Sequence, residues 1–417
     1  GASLMRENPA TYYPSDYLEW IEMLWHKPAD AVGEGMAPYL AGWVSREDFD
    51  PRTGAWLLEK MIAKHENILY LPMTVVKKVE TVDCSDKYGE DGRKIVSVTL
   101  IKRTAANGYV PHSVLLSEEM HDWYSTDKSE RFDKEVIQVT AENEKTLTVI
   151  DATEGGDIMV LSGADYTIGR EVANEMTQED TQLPEIDENG SQATVFPFCV
   201  SLQNDYDEET DQFIQNHFDS FAEHYRKYKE TYFSFGKHNW RIVWTYRRIY
   251  CTGKTGMEDV NDDDVSMQNW YPGNDYPNAS IYKDKTEAAA EAADWQGGWH
   301  YHRIKEAEEI AYAWYKYYQE HSPMPLQTCC PRGSHPCNMM GSGHGLSKFP
   351  YIRCGRRAVG LYHFRLTSSY LVDLQQENHN ATSYRFFDSV GIGDYAVDVH
   401  PLTSSKGVLP PFEKAAP

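Results

Sequence analysis

Apolar and polar positions follow two rhythms along this chain. A helical rhythm opens it. Asp16 before Tyr17-Leu18-Glu19-Trp20-Ile21 has the pattern of an N-cap and a short amphipathic helix. Pro51 opens a second helix, with Trp56, Leu57, Met61 and Ile62 at helical spacing. The period then shortens. Ile68–Leu71 and Thr74–Val79 read as strands, as does Lys94–Arg103, and Glu135–Ala152 holds two more. After Thr194–Leu202, a further strand, helices return. Glu208–Phe233 sets Phe213, Phe218, Phe221, Tyr225 and Tyr228 roughly on one side, and Asp284–Ala293 is a shorter helix. His300–Glu320 spaces Ile304, Ala307, Ala311, Trp314 and Tyr318 on one face. Aromatic stripes of this kind are far more often core faces than cofactor boxes. The run WRIVWTYRRIY from Trp240 reads as a strand.

The most informative stretch is Lys145–Arg170, KTLTVIDATEGGDIMVLSGADYTIGR. Leu147, Val149 and Ile150 form a short β-branched run without charge, the pattern of a strand buried on both faces. It turns through Asp151-Ala152-Thr153-Glu154-Gly155-Gly156-Asp157 into the apolar segment Ile158–Leu161. Paired glycines after a buried strand let backbone approach a ligand closely, at the end of a sheet where open α/β folds bind ligands. An ordinary tight turn explains the same glycines equally well. Residues 108–134 are polar with scattered aromatics, an insertion without an assigned role. Residues 171–191 are acidic and turn-rich, a crossing into a second domain.

Composition narrows the partners. With 64 Asp and Glu against 40 Lys and Arg, the net charge is −24. Such a surface repels phosphate backbones and anionic lipid, so neither nucleic acid nor a membrane is an expected partner. No apolar run approaches the roughly 18 residues that span a bilayer. No signal-peptide pattern stands at the start; this fixes no compartment, and a cytoplasmic setting is the default expectation. Seven cysteines, odd in number and unevenly spaced, are no disulfide framework. Cys329, Cys330 and Cys337 lie near His335 and His344, but without the CxxC spacing of a closed zinc site, and no metal is expected. The GKTG at residues 253–256 lacks the upstream glycine spacing and buried strand of a phosphate loop.

Three colinear segments resemble a family of FAD-dependent oxidoreductases with the glutathione-reductase-type FAD-binding fold and a large inserted substrate domain. They are VIDATEGGDIMVLSGADYTIGRE, GHGLSKFPYIRCGRRAVGL and YRFFDSVGIGDYAVDVHP. The stretch from about Asn269 to Tyr315 adds GND-Y, DWQGG and EAE-x-x-A-x-x-WY elements. The resemblance implies an α/β plus α+β fold, an incomplete three-layer FAD/NAD(P)-binding domain with a mixed insert. Residues 1–170 would be the FAD-binding part, 171–400 the insert, and 401–417 a tail leading back. The family's opening strand, GxGxxG turn and helix are not in the sequence, and neither is its closing segment. Other protein chains supplying those parts, or a homo-oligomer, are the expected partners; loss of those parts, or a sequence that is itself a piece, are the alternatives.

The resemblance implies FAD as cofactor, with Val75 or Val76 passing near its adenine end and Thr153, Gly155, Gly156 and Asp157 at the glycine turn. Flavin chemistry leaves orientation and electrostatics to the protein. His400 is the candidate base, since imidazole can take a substrate proton as hydride leaves. Asp398 would share its side of a strand and orient it, with Tyr395 nearby; a hydrogen-bonded structural histidine is the plainer alternative. Arg353, Arg356 and Arg357 could clamp a carboxylate or phosphate of a small-molecule substrate, or serve internal salt bridges. Asn274, Asp275 and Trp270 could line a polar pocket. The leading expectation is hydride transfer from a small organic substrate to flavin. Two others stay open: a non-catalytic assembly subunit built on a degenerate flavoprotein scaffold, and a carbohydrate-active enzyme using paired carboxylates.

Overall fold

A computed structural model describes residues 3–4, 15–31, 42, 47–85, 91–142, 145–169, 187–202, 208–250, 264–324, 326–328, 339–360, 363–365, 402–404 and 407–408. Helices α1 (Ser15–Trp25) and α2 (Pro51–Ala63) share a small core of Ile21, Leu24, Phe49 and Leu57. Pro51 starts α2 as expected, because the Asp50 carboxylate caps it by accepting from the Arg52 N–H at 2.9 Å. Asp16 lies inside the first turn of α1, still at the helix's positive end.

Strands β1 (Thr74–Ser85), β2 (Asp91–Ala105) and β3 (Phe132–Thr140) form an antiparallel sheet with β2 in the middle. β1 is an edge strand, pairing Val75 with Ile101 and Val76 with Leu100 before its register slips. The insertion between β2 and β3 is ordered around helix α3 (Leu116–Glu119). That helix lacks a local side-chain cap, and one arrives from far along the chain. Glu308, fully buried, accepts from the Ser117 hydroxyl at 2.6 Å and the Ser117 N–H at 3.3 Å.

Two expected strands do not form. Ile68–Leu71 and Leu147–Ile150 belong to no strand among the described residues, and Leu69 and Ile150 are 81% and 84% exposed. The reading of Leu147–Ile150 as doubly covered is thereby corrected. A β-branched run specifies an extended backbone, but its ladder partner and covering layers must come from elsewhere. All strand pairings among the described residues are antiparallel, so the parallel layer of a three-layer domain is not among them. The architecture they do show is a mixture of helices and small sheets.

Beyond the turn, α4 (Asp157–Ser162) packs on β1, and β4 (Tyr166–Thr167) follows it. The second half begins with β5 (Phe198–Leu202) and α5 (Glu208–Tyr228). The run from Trp240 is not one strand. It divides into α6 (Trp240–Trp244) and β6 (Arg248–Tyr250). Asn239 sets the break, its side chain accepting from the Arg241 and Ile242 N–H groups, so a strong N-cap overrides β propensity. β7 (Val265–Gln268), α7 (Lys285–Glu291), α8 (Tyr301–His321) and β8 (Leu326–Thr328) complete it, with sheet order β6-β7-β5-β8. One core joins Leu116, Met120 and Phe132 to Phe221, Trp314 and Tyr315. Lys77 of β1 also reaches across, donating to Asp294 at 2.5 Å and to the Trp295 carbonyl at 2.8 Å.

Candidate functional site

The glycine turn is built by Asp151. One carboxylate oxygen accepts from the Thr153 hydroxyl at 2.7 Å and its N–H at 3.2 Å. The other accepts from the Ile158 and Met159 N–H groups at 3.1 and 3.2 Å, so the free amides opening α4 are already occupied. Thr153 accepts in turn from the Gly156 N–H at 2.9 Å. Gly156, at φ 60°, takes the left-handed conformation the turn needs. Chain order Asp-Ala-Thr-x-Gly-Gly is thus the wiring of a rigid loop.

That loop borders a cavity of about 280 Å³. Edge strand β1 contributes Thr74, Val75 and Val76, and the loop contributes Asp151 through Gly155, with Asp157. The opposite wall is aromatic. Tyr282 and Trp299 lie 4.5 Å apart at 30°, Phe349 meets Trp299 edge-on at 5.7 Å, and Trp123 stacks on Phe349 at 6.5 Å. The Trp299 indole is fixed by donating to the Tyr124 hydroxyl at 3.2 Å. Arg103 lies 4.3 Å over the outer neighbour, Trp123, and burial pulls its guanidinium down to about 10. The charged lining residues are Asp151, Glu154 and Asp157. Burial pushes the Asp157 carboxyl up to about 7, against the pull of the Arg356 guanidinium. The cavity can therefore stack a flat ring, bond its rim to the outer edge of β1, and accept hydroxyl groups. Among the lining residues a diphosphate would meet three carboxyl groups, while the Arg356 guanidinium over Tyr282 is already engaged with the Gly155 and Gly298 carbonyls.

The structure brings five expected cofactor residues to this one place: Val75, Val76, Thr153, Gly155 and Asp157. Gly156 sits behind them, buried in the turn. The three arginines part company. Arg356 donates to the Gly155 carbonyl at 2.7 Å and the Gly298 carbonyl at 3.1 Å, and stacks 4.8 Å over Tyr282. Gly298 must be glycine here, at φ 65° and with a Cβ that would stand 2.4 Å from the guanidinium. Arg353 donates to the Ala193 carbonyl at 2.6 Å and pairs with buried Asp275 at 3.3 Å. Arg357, on β9 (Arg357–Ala358) beside β4, donates to the Gly169 carbonyl at 2.7 Å. Asn274 is fully buried and wired to its own loop, accepting from the Trp270 N–H and donating to the Phe196 and Gln268 carbonyls.

His400, Asp398 and Tyr395 lie outside the described residues, as do Cys329, Cys330, Cys337 and His335. His344 is buried and accepts from the Leu346 N–H at 3.3 Å. Among the described residues no group of three or more His, Cys, Asp or Glu side chains could hold a metal ion. Sequence reasoning missed the aromatic wall: Trp123, Tyr124, Tyr282, Trp299 and Phe349. Two signals pointed to it: the scattered aromatics of the unassigned insertion, and the Gly297-Gly298 pair before Trp299.

The profile of a family described as FAD dependent oxidoreductase matches residues 113–414. No curated protein and no solved structure matches. With most of its length matched, and with the glycine turn and aromatic wall lying within the match, the chain belongs to the FAD-dependent oxidoreductase family and has FAD as its cofactor.

Proposed function

We propose that the cavity beside the glycine turn holds part of the FAD and that the protein passes hydride from a small organic substrate to it. The observation that carries this reading is the convergence of Val75, Val76, Thr153, Gly155 and Asp157 with a close, tilted Tyr282–Trp299 pair. At about 280 Å³ the cavity lies just under the range of whole drug-sized ligand pockets, about 300–1,000 Å³. It therefore fits a ring and sugar portion and not the entire dinucleotide. Its carboxylates direct the diphosphate elsewhere. Bound flavin supplies the hydride acceptor. The chain's own part is to stack the ring, offer backbone at Val75–Val76 to its rim, and exclude water with the aromatic wall. His400, oriented by Asp398 and Tyr395, is proposed as the acceptor of the substrate's proton.

The apolar segments Ile68–Leu71 and Leu147–Ile150, exposed at Ile68, Leu69, Tyr70 and Ile150, support a partner as well. An extended, uncovered β-branched run is a template for strand addition, and we propose that a segment of another protein chain completes it. The test of function is spectroscopic. Native protein should show the visible flavin band, bleached by dithionite and, without oxygen, by an oxidisable organic substrate. Trp299→Ala should lower flavin content, and His400→Ala should retain flavin but lose substrate bleaching. A flavin content untouched by Trp299→Ala would move the site elsewhere.

A further inference from the structure

Two buried polar atoms converge over Gly155. A Cβ placed on that glycine would stand 3.1 Å from Asp157 Oδ1 and 3.8 Å from the Tyr282 hydroxyl, so both atoms face the same side of it. Neither atom makes a hydrogen bond of good geometry, although the Trp295 indole N–H stands close enough to Asp157 to favour its carboxylate. Tyr282 is 1% exposed and its residue lines the cavity, so its hydroxyl is a buried donor and acceptor turned towards the glycine. Orphaned buried polar atoms are rare and call for a specific explanation. A group serving both must give a hydrogen bond to Asp157 and exchange one with Tyr282. A phosphate diester, as in a dinucleotide, has no proton to give and would face the carboxylates of Asp151 and Glu154 beside Asp157. A cation would face Arg356, which already stacks over Tyr282. A neutral hydroxyl meets both requirements.

We propose that the floor over Gly155, between Tyr282 and Asp157, is a subsite for a carbon-borne hydroxyl of a sugar or polyol chain. Two sources carry that chemistry: the ribose or ribityl chain of the cofactor, or a free polyol substrate. The first source rests on the reading of the cavity as part of the FAD site; the second does not. The adjoining Tyr282–Trp299 pair gives the carbon skeleton of either source an aromatic face.

The test uses the full chain, freed of flavin, with intrinsic tryptophan fluorescence as the signal, since Trp123 and Trp299 line the cavity. Wild type and Tyr282→Phe are titrated with FAD, riboflavin, lumiflavin, adenosine, adenine and ribitol. Loss of the phenol hydroxyl should weaken a hydroxyl-bearing probe about tenfold and leave the hydroxyl-free lumiflavin and adenine unchanged. Weakening of riboflavin or adenosine assigns the subsite to the cofactor; weakening of ribitol alone assigns it to a free polyol. Gly155→Ala, which fills the floor, should abolish the same binding and guards against misfolding of Tyr282→Phe. FAD bound equally by wild type and Tyr282→Phe, with ribitol silent, would overturn the subsite and leave the FAD reading intact. Ribitol binding that depends on Tyr282, with no FAD binding, would overturn the FAD reading alone. Equal weakening of hydroxyl-bearing and hydroxyl-free probes would overturn the subsite.

Discussion

The helical core around α5 and α8 and the extended run before the glycine turn use apolar residues to opposite ends. Trp314 is fully buried among Phe233, Phe235 and Tyr317, with ring centroids 5.3–5.8 Å away. Gly273 passes so close that a Cβ there would lie 2.6 Å from the indole. Ile150, in a run just as apolar, is 84% exposed at the rim of the cavity. The difference lies in who supplies the second layer. For α8 it comes from α5, α3 and the short strands beside them. For Leu147–Ile150 the described residues supply it only in part: Leu147 and Val149 are half-buried and Ile150 is exposed. Apolar character states a demand for cover; topology decides whether the same chain meets it.

The contrast can be broken most decisively at Trp314. Trp314→Ala should cost about 3–5 kcal/mol, from lost transfer and the cavity left behind, read as a lower urea midpoint at unchanged slope. A cost under about 1 kcal/mol would mean that this core collapses freely and is no tighter than the exposed run. Next is Gly355, where the arginine segment crosses the glycine turn. A Cβ there would stand 2.1 Å from the Glu154 carbonyl oxygen, backbone against backbone. Gly355→Ala should therefore destabilise by about 1–3 kcal/mol and lower flavin content with it. Loss of stability alone would detach that contact from the cavity.

A third way to sharpen the comparison is pH, because each region has a buried acid of its own, Glu308 in α8 and Asp157 in the turn after the exposed run. Burial raises the Glu308 carboxyl from 4.5 to about 8 and Asp157 from 3.8 to about 7. Between the unfolded and folded values the native state holds more protons than the unfolded one. The stability these two groups contribute is thus fully present below about pH 4 and is lost as pH rises through 7 and 8, by at most about 1.4 kcal/mol per unit for each group. Glu308→Gln keeps the shape of the acceptor over Ser117 and should flatten the upper part of that slope. Denaturant midpoints at several pH values check this; a pH slope identical in wild type and Glu308→Gln would contradict the Glu308 shift, whatever His112 and His300 add to both proteins.

What could be read from the sequence follows the same division. α2, α5 and α8 were legible because helical spacing and the Pro51 start are local, and the hydrogen bonds of a helix close within the segment. β1 and β2 were legible from β-branched runs on either side of a turn. The break at Asn239 was not, since a single cap outweighed the run Ile242-Val243-Trp244. In the site, the Asp151–Asp157 turn carried its own wiring and so its own signal. The aromatic wall did not. Trp123, Tyr282, Trp299 and Phe349 come from four separate stretches, and only tertiary contacts assemble them. The arginines show the converse: Arg353, Arg356 and Arg357 are neighbours in sequence and serve three different carbonyl partners in space.

The smallest expected effect is the most discriminating. Ile150→Ala should change the stability of the chain alone by no more than about 0.5 kcal/mol, because little apolar area leaves water when Ile150 folds. The same substitution should weaken capture of a strand-forming partner, since the lost contacts exist only in the assembly. Folding and association can thus be separated at one residue. If Ile150→Ala costs the isolated chain about 2 kcal/mol or more, as a buried isoleucine does, the run is already covered within the chain. The need for an outside strand would then vanish, and the two regions compared above would prove to be built alike.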